Sequence, residues 1–402
     1  MTGEHPPHLT PAAAEPAAAF RDEEPFAVSA QGQALTFYPA GKDRLDALLA
    51  LIAGARESLR LCYYIFVEDE AGLRVRDALV AAVERGVDTR LIVDGFGAAA
   101  DEDSPFFAAF KAAGGQYHVF TPRFGRRYLI RNHQKMAIAD GVRALIGGFN
   151  IEHGYFDPPE TDGWRDLGIG IEGSLVTDLV RWYGALEQWL SHPRQQLLAI
   201  RRQVRRWEPG DGPAKLLIGG PTEGLSGWAR HVGHDLRQGS RVDMVMAYFS
   251  PSAGLLRRIA RIGRTGEARL VLAGKSDNPA TVGATRSLYT YLLKRKVRIW
   301  EFAPCKLHTK LIVIDDVTYL GSSNFDMRSL FLNLELMIRI DDAVLAERMR
   351  GFVAGHLPWS EEIVLAEHRR RATLWNRLRW GLSWFLVTVV DYTVSRRLNL
   401  GL

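Results

Sequence analysis

The stretches Asn132-His-Gln-Lys-Met-Ala-Ile-Ala-Asp140 and Leu307-His-Thr-Lys-Leu-Ile-Val-Ile-Asp315 decide the fold of this chain, because they are two copies of one pattern. Each copy has a histidine, a lysine two positions later, a short apolar run and an aspartate. A Gly-rich turn that ends in asparagine follows each copy, as Gly147-Gly-Phe-Asn150 and Gly321-Ser-Ser-Asn324. The repetition predicts a duplicated fold, with one half for each copy.

The residues upstream of each motif extend the repeat to whole secondary-structure units. An apolar strand pattern, a helical pattern and a second short strand ending in glycine occur in this order twice, at 59–66, 72–83 and 90–95 and again at 242–249, 254–260 and 269–274. Strand–helix–strand units of this kind are typical of parallel strands covered by helices. We therefore predict the α/β class, with two pseudo-symmetric α/β/α lobes that each hold a mixed, mainly parallel sheet flanked by helices, and an active site at the lobe interface.

Composition sets the expected boundaries of these lobes. The first residues are rich in Ala, Pro and acidic side chains, which predicts a disordered leader over residues 1–30 and no signal peptide. A basic and then Pro/Gly-rich stretch near residues 205–214 is the predicted linker. We expect the lobes to cover 31–205 and 214–366, followed by a basic, aromatic, amphipathic tail over 367–402.

The motif residues predict phosphate chemistry. Residues i and i+2 of a strand point to the same face, so His133 emerges with Lys135, and His308 with Lys310. Lysines neutralise a phosphate, and imidazoles exchange protons or attack phosphorus. Backbone amides and side-chain amides at the two Gly-rich turns would meet the same anion, which makes Gly147, Asn150, Ser322 and Asn324 candidate substrate-binding residues.

With these motifs the chain resembles the phospholipase D superfamily, whose mark is a duplicated His-x-Lys-x4-Asp followed by a Gly-rich turn and Asn. The resemblance covers about residues 35–365 and is greatest to bacterial cardiolipin synthases, through the segments 63–69, 147–151, 164–173, 321–329 and 333–335. It implies the phospholipase D-like fold. One departure is Gly148, which stands where many members have the serine that Ser322 supplies in the second half.

The resemblance also implies roles for the site residues. One histidine attacks the phosphodiester and the other protonates the departing alcohol; we assign the attack to His133 and the acid/base role to His308. The family places a carboxylate after each motif to orient the imidazole of the opposite half, and Asp166 and Glu335 match it. The catalytic set is completed by the motif aspartates, although their position at strand ends favours salt bridges or turns; these are Asp140 and Asp315. We expect neither a metal nor another cofactor, because the lysines supply the positive charge.

Basic and aromatic stretches indicate the partner. The stretch 123–131 leads into the first motif and is predicted to gather anionic head groups, whereas 201–207 reads as a solvated charged face. The tail contains an eleven-residue apolar run at 380–390 that is flanked by arginine and tryptophan. This run is too short to cross a bilayer core of about 30 Å. It predicts either an interfacial membrane helix or a segment that packs on the protein. We expect a peripheral protein on the cytoplasmic face of the cytoplasmic membrane.

Several functions fit these residues. The leading hypothesis is a cardiolipin synthase-like phosphatidyltransferase that transfers a phosphatidyl group, from phosphatidylglycerol or phosphatidylethanolamine, to phosphatidylglycerol. A phospholipase D-type hydrolase that uses water as the acceptor is the alternative. A nucleic-acid phosphodiesterase would use the same chemistry, but the Trp-rich tail favours lipid, and we expect no nucleic-acid partner. A non-catalytic lipid-binding scaffold is disfavoured by the two intact His–Lys pairs. The pattern leaves the oligomeric state open.

Overall fold

A computed structural model describes residues 20–99, 101–121, 130–192, 197–222 and 224–390. Within these residues the first lobe contains nine strands and five α-helices: β1 Phe26–Ala30, β2 Gln33–Tyr38, α1 Gly41–Ala53, β3 Ser58–Tyr63, α2 Glu70–Glu84, β4 Asp88–Asp94, α3 Ala108–Ala112, β5 Gln116–Phe120, β6 Met136–Ala139, β7 Arg143–Gly147, β8 Trp164–Arg165, β9 Gly168–Glu172, α4 Ser174–Leu190 and α5 Leu197–Arg206.

The second lobe begins at the next strand and ends with the tail. It contains β10 Ala214–Gly219, α6 Gly227–Gln238, β11 Arg241–Met246, β12 Phe249–Ser250, α7 Ala253–Thr265, β13 Glu267–Ala273, α8 Pro279–Leu293, β14 Arg298–Phe302, β15 Lys306–Leu307, β16 Lys310–Ile314, β17 Val317–Gly321, β18 Phe325–Asp326, α9 Met327–Phe331, β19 Glu335–Asp341, α10 Ala343–Gly355, β20 Ser360–Glu362, α11 Leu365–Arg371 and α12 Leu374–Trp384. A π-helical turn, Phe385–Val390, continues α12.

The two large sheets repeat one strand order. The first runs β1-β2-β9-β7-β6-β3-β4-β5 and the second β10-β19-β17-β16-β11-β13-β14-β20. Without the edge strands β1 and β20, the seven remaining strands correspond position by position. The motif strands β6 and β16 lie in the middle of their sheets, and every residue of both is buried. The predicted pair of similar α/β lobes is therefore present.

The expectation of mainly parallel sheets is wrong, although the sheets are mixed as predicted. Within the two large sheets, as far as the described residues show them, only β3–β4–β5 and β11–β13–β14 pair in parallel. The other large-sheet pairs are antiparallel, including β6–β7 and β16–β17. The cause is the short connection after each motif strand, where Asp140 and Asp315 adopt positive φ angles of 55° and 46°. So short a turn makes a hairpin, whereas parallel strands need a long crossover.

One hydrophobic cluster joins the lobes. It includes Phe37 and Ile138 from the first lobe and Leu311 and Phe352 from the second. Each lobe also has a separate cluster, which packs its sheet against α1 and α2 in the first lobe and against α6, α7 and α8 in the second. Helices α4 and α10 contribute to the shared cluster. The lobes are thus fixed to one another by a common core.

The ends of the chain differ from the sequence-based expectation. The disordered leader predicted for residues 1–30 extends too far, because 26–30 forms β1 and Phe20 packs edge-to-face on Phe302 at a centroid distance of 5.1 Å. Residues 1–19 lie outside the described residues, as do 123–129 of the basic stretch before the first motif and 391–402 of the tail. In the described ranges no helix is long and apolar enough to cross a bilayer.

Candidate active site

The two motifs meet where the lobes exchange backbone contacts. The strand β15, just before the second motif, pairs in parallel with β8 of the first lobe, and Asn132 bridges to Leu334 in the equivalent place. The N–H of His133 donates to the carbonyl of Leu334 at 2.9 Å, and the N–H of His308 donates to Arg165 O at 2.7 Å. Each acceptor directly precedes a predicted orienting acid, so these contacts bring each histidine to the carboxylate of the opposite lobe.

The first half of the site is a buried chain of His133, Glu335 and Ser322. Nδ1 of His133 lies 3.1 Å from the Glu335 carboxylate, and Ser322 Oγ donates to the same carboxylate at 2.5 Å. The Glu335 side chain is fully buried, and burial raises its pKa to about 8. Burial and the neighbouring Lys135 lower the pKa of His133 well below its ordinary value, so the imidazole is neutral near pH 7.

The second half pairs His308 with Asp166. Nδ1 of His308 lies 2.6 Å from Asp166 Oδ2, and the N–H of Leu167 donates to Oδ1 at 2.8 Å. Burial alone would raise the pKa of Asp166, but Lys310 and His308 outweigh it and hold that pKa below its ordinary value. Burial and Lys310 lower the pKa of His308, against the opposing effect of Asp166. The ionised Asp166 can therefore fix the tautomer of His308 and stabilise its protonated form.

The two lysines are buried beside their own histidines. Lys135 Nζ donates to His133 O at 2.8 Å, and Lys310 Nζ lies 2.7 Å from His308 Nδ1. Burial lowers the pKa of Lys135 to about 7 and that of Lys310 to about 8. A bound phosphate would favour the charged form of both, so the site is arranged to take an anion.

The Gly-rich turns support the acids in different ways. A Cβ atom on Gly148 would lie 2.7 Å from Asp166 Oδ2 and 2.8 Å from the Lys310 side chain, so this position has no room for a serine. Ser322 stands at the equivalent place in the second half of the chain. Its hydroxyl donates to the Glu335 carboxylate and accepts from Leu336 N at 3.0 Å. Ser322, predicted as a substrate-binding residue, is thus placed to hold the acid.

The other candidate substrate-binding residues of the turns are buried. Asn150 and Asn324 are 2% and 4% exposed. Asn150 Oδ1 accepts from Ile65 N at 3.2 Å, whereas Asn324 Oδ1 has no hydrogen-bond partner among the described residues. Gly147 is closely packed, because a Cβ there would meet Leu167 O at 2.8 Å.

The inclusion of Asp140 and Asp315 among the catalytic residues is wrong. They follow the far ends of β6 and β16, away from the lysines at the strand starts. Asp140 accepts from the N–H groups of Glu57 and Ser58 at 2.8 and 3.0 Å, and Asp315 accepts from Arg241 N at 2.9 Å. Both carboxylates close the turn before a neighbouring strand, which is a structural role.

Aromatic residues complete the site, and the sequence reasoning missed their roles. His308 is surrounded by Tyr155, Trp164 and Tyr248, at centroid distances of 5.0, 5.2 and 6.5 Å. The Tyr155 hydroxyl lies 3.5 Å from His308 Nε2. Near His133 the described aromatic contact is Tyr64 at 5.0 Å. Tyr64 and Tyr248 each follow a strand that leads to the site, which is the signal that could have found them.

Arg44 holds the segment that carries Asp166. Its side chain is 1% exposed and donates to the carbonyls of Tyr155, Trp164 and Asp166 at 2.7, 2.9 and 2.8 Å. Its charge also helps to lower the pKa of Asp166. In the described ranges, no group of three or more His, Cys, Asp or Glu side chains is placed to hold a metal ion.

Comparisons with known proteins identify the family of this chain. A family model described as "Cardiolipin synthase, PLD-like domain" matches residues 48–164 and 234–354. The chain is 28% identical to "Cardiolipin synthase B" of Escherichia coli (strain K12) over 358 residues, 86% of each chain. It is 28% identical to "Major cardiolipin synthase ClsA" of Bacillus subtilis (strain 168) over 362 residues, 87% of this chain and 74% of the relative.

Solved structures share the fold. The crystal structure of phosphatidylserine synthase from Haemophilus influenzae Rd KW20 superimposes with a TM-score of 0.71 at 14% identity, over 94% of this chain and 97% of the other. Polyphosphate kinase from Porphyromonas gingivalis gives a TM-score of 0.57 at 14% identity, over 83% of this chain and 49% of the other. At these identities the likeness concerns the fold alone.

Proposed function

The chain belongs to the family of cardiolipin synthases with a phospholipase D-like domain, and from this premise we propose that it transfers a phosphatidyl group to phosphatidylglycerol through a phosphohistidine. It is an enzyme of the phosphatidyltransferase type within the phospholipase D superfamily. The observation that carries the proposal is the meeting of two His–Lys pairs, each with a carboxylate from the opposite lobe. Such a site has charge for a phosphodiester, a nucleophile and an acid/base.

In the first half-reaction Nε2 of His133 attacks the phosphorus of the donor lipid. The phosphorus–nitrogen bond forms, the bond to the head-group alcohol breaks, and His308 gives its proton to the leaving oxygen. His133 suits the attack because its imidazole is neutral and 12% exposed, against 5% for His308. His308 suits proton transfer because the ionised Asp166 stabilises its cation. The anionic substrate opposes Lys310 and so raises the pKa of His308 toward the range in which it donates.

In the second half-reaction the hydroxyl of phosphatidylglycerol attacks the phosphohistidine. His308 takes the hydroxyl proton, the phosphorus–nitrogen bond breaks, and His133 regains its free imidazole. The product is cardiolipin, and the small alcohol left from the donor is glycerol or ethanolamine. Lys135 and Lys310 neutralise the charge on the phosphoryl oxygens in both steps. If water replaces the lipid hydroxyl, the same residues make phosphatidic acid, which is the hydrolase alternative.

The tail supports a lipid substrate. Trp380 is 6% exposed and stacks on His368 at 5.2 Å, and Gly283 of α8 leaves room for Ser383, so one face of α12 packs on the second lobe. The opposite face exposes a stripe of large apolar side chains: Leu374, Trp375, Leu378, Leu382, Phe385 and Leu386. The helix can therefore pack on the protein with one face and still contact a membrane with the other. The stripe, flanked by arginines, supports a helix that lies in the interface of an anionic bilayer. We accordingly propose a peripheral protein at the cytoplasmic face of the cytoplasmic membrane.

A product assay tests the reaction. The purified protein is incubated with vesicles of phosphatidylglycerol, with or without phosphatidylethanolamine, and the lipids are measured by mass spectrometry. We expect a four-chain product that is absent with His133→Ala. Phosphatidic acid as the sole product would contradict the transferase and support the hydrolase.

A flotation assay tests the membrane helix. The double variant Trp375→Glu/Leu378→Glu removes the apolar stripe at positions that are 72% and 64% exposed, so the fold should survive. We expect it to lose most of its recovery with anionic vesicles. The matched control is Val344→Glu on α10, at a position that is 71% exposed. Equal recovery of the double variant and the control would remove the helix from membrane binding.

A further inference from the structure

A basic cavity lies beside the second half of the site, between α8, the loop after β13 and the tail helix α12. Its volume is about 550 Å³. Its polar lining includes Lys275, Lys306, Arg379 and Ser383 and one carboxylate, that of Asp162, and Trp380 contributes an apolar wall. No residue of the catalytic centre lines it, so the cavity is a separate feature of the second lobe.

The cavity has positive charge that the protein does not neutralise. Arg286 reaches it but is held by Glu301 through bonds of 2.8 and 2.7 Å, and Lys306 Nζ lies 3.5 Å from Asp162. In the part of the chain that the structure describes, the one hydrogen bond of Lys275 Nζ is a long contact of 3.4 Å to the carbonyl of Pro304. Among the described residues no carboxylate lies within ion-pair distance of Lys275 or Arg379. Two cations are therefore available for an anion.

The cavity is connected to His308 by direct contacts. Lys306 Nζ lies 5.4 Å from the centroid of the Trp164 ring, and that ring lies 5.2 Å from the imidazole of His308. On the other side, the Tyr248 hydroxyl donates to Asp277, in the loop that lines the cavity, at 2.9 Å. One aromatic side chain thus separates the cavity from the proposed acid/base.

The remaining wall belongs to the helix that we place in the membrane. Arg379, Trp380 and Ser383 face the cavity, while the neighbouring Leu378 and Leu382 are 64% and 55% exposed on the other side of α12. A lipid that enters the cavity from the bilayer can leave its acyl chains along the apolar stripe. Its head group would then lie at the level of the cations.

We propose that this cavity binds the phosphodiester of the acceptor phospholipid, an anionic lipid with a free head-group hydroxyl. The inference rests on the proposed transfer to a lipid hydroxyl. In the second half-reaction the donor phosphorus is bound to His133 between the motif lysines, so the phosphate of the acceptor needs a second cationic site. That site must lie within a head group's length of His308, which removes the hydroxyl proton. The cavity supplies the cations, and Lys306 in its wall is one aromatic ring away from His308.

Kinetics with two acceptors tests the site. In mixed micelles with saturating donor, Lys275→Ala and Arg379→Ala should each raise the KM for phosphatidylglycerol as acceptor about tenfold, because each removes one charge-assisted contact. Hydrolysis of the donor by water should be unchanged, so the ratio of transfer to hydrolysis falls. The matched control is Arg205→Ala, in a basic cavity of similar size between α5 and α6. An unchanged acceptor KM in the double variant, or the effect appearing in Arg205→Ala, would overturn the proposal.

A binding measurement separates this inference from the proposed function. Lysines of the wild-type protein are acetylated with and without short-chain phosphatidylglycerol below its micelle concentration, and each site is quantified by mass spectrometry. We expect protection of Lys275 and Lys306, with Lys296 at the opposite end of α8 as the unprotected control. Protection without any cardiolipin product would sustain the cavity and reject the transferase. Cardiolipin production without protection would do the reverse, and equal protection by inorganic phosphate would reject a lipid site.

Discussion

The two halves of the active site hold the same histidine and lysine but support them differently. In the first half His133 meets Glu335, whose carboxylate also binds Ser322. In the second half His308 meets the shorter Asp166, and a side chain at position 148 would collide with that carboxylate, so the place of Ser322 is taken by Gly148. One half therefore combines a glutamate with a serine and the other combines an aspartate with a glycine, and each combination fills the space beside its histidine. Their pKa values move in opposite directions, upward for Glu335 and downward for Asp166. The two halves of the duplicated fold thus place their histidines beside carboxylates with different protonation behaviour.

Removing either histidine should give the largest loss of activity and test most directly whether the two halves have different roles. His133→Ala and His308→Ala should each lower kcat by about 10³-fold or more with a natural lipid. With a p-nitrophenyl phosphodiester the leaving group needs no proton, so His308→Ala should still release one equivalent of nitrophenolate and become phosphorylated on His133. A burst from His133→Ala instead would exchange the two roles.

Neutral replacements of the two acids sharpen the comparison. Asp166→Asn should lower kcat/KM by about 10³-fold, because it removes an ionised partner at 2.6 Å and favours the wrong tautomer of His308. Glu335→Gln should cost about 10- to 10²-fold, because the raised pKa of Glu335 leaves it largely protonated at pH 7. Steady-state kinetics at pH 7 measures both. Equal losses would show that the carboxylates do equivalent work.

Substitutions in the two Gly-rich turns should also lower kcat/KM more in the second half of the site than in the first. Gly148→Ala places a methyl group 2.7 Å from Asp166 and should lower kcat/KM by about 10²-fold by displacing that carboxylate. Ser322→Ala removes one hydrogen bond to Glu335 and should cost about tenfold. Thermal unfolding of both variants controls for a general loss of stability. A harmless Gly148→Ala would mean that Asp166 moves freely in its pocket.

The pH dependence should give the smallest effect. Because the pKa of Glu335 is raised to about 8, its carboxylate forms as the pH rises through that value, and the orientation of His133 should improve. Asp166 has a lowered pKa and stays ionised across the same range. We expect kcat to gain a few-fold between pH 7 and pH 9, a step that Asp166→Asn keeps and Glu335→Gln loses. A step that persists in Glu335→Gln belongs to another group.

The repeated motifs were enough to predict the α/β lobes and the family, which the family model confirms. The pairing of each histidine with an acid of the opposite half was implied by the resemblance to the phospholipase D superfamily, and the contacts His133–Glu335 and His308–Asp166 agree with it. Strand direction was predicted less well, because antiparallel pairs, among them the hairpins after Asp140 and Asp315, outnumber parallel pairs in both large sheets. The aromatic residues around His308 come from three separate segments, and only the folded chain brings them together.

The exchange of acids between the lobes has a consequence for the origin of the molecule. Each half gives its carboxylate away and receives one in return, through backbone contacts that repeat on both sides. Two identical chains related by a two-fold axis would make the same reciprocal exchange, so the present chain has the geometry of an isologous dimer joined head to tail. In such a dimer a serine at one position is a serine at both. Fusion into one polypeptide removes that symmetry constraint, which is what allows Gly148 and Ser322 to differ.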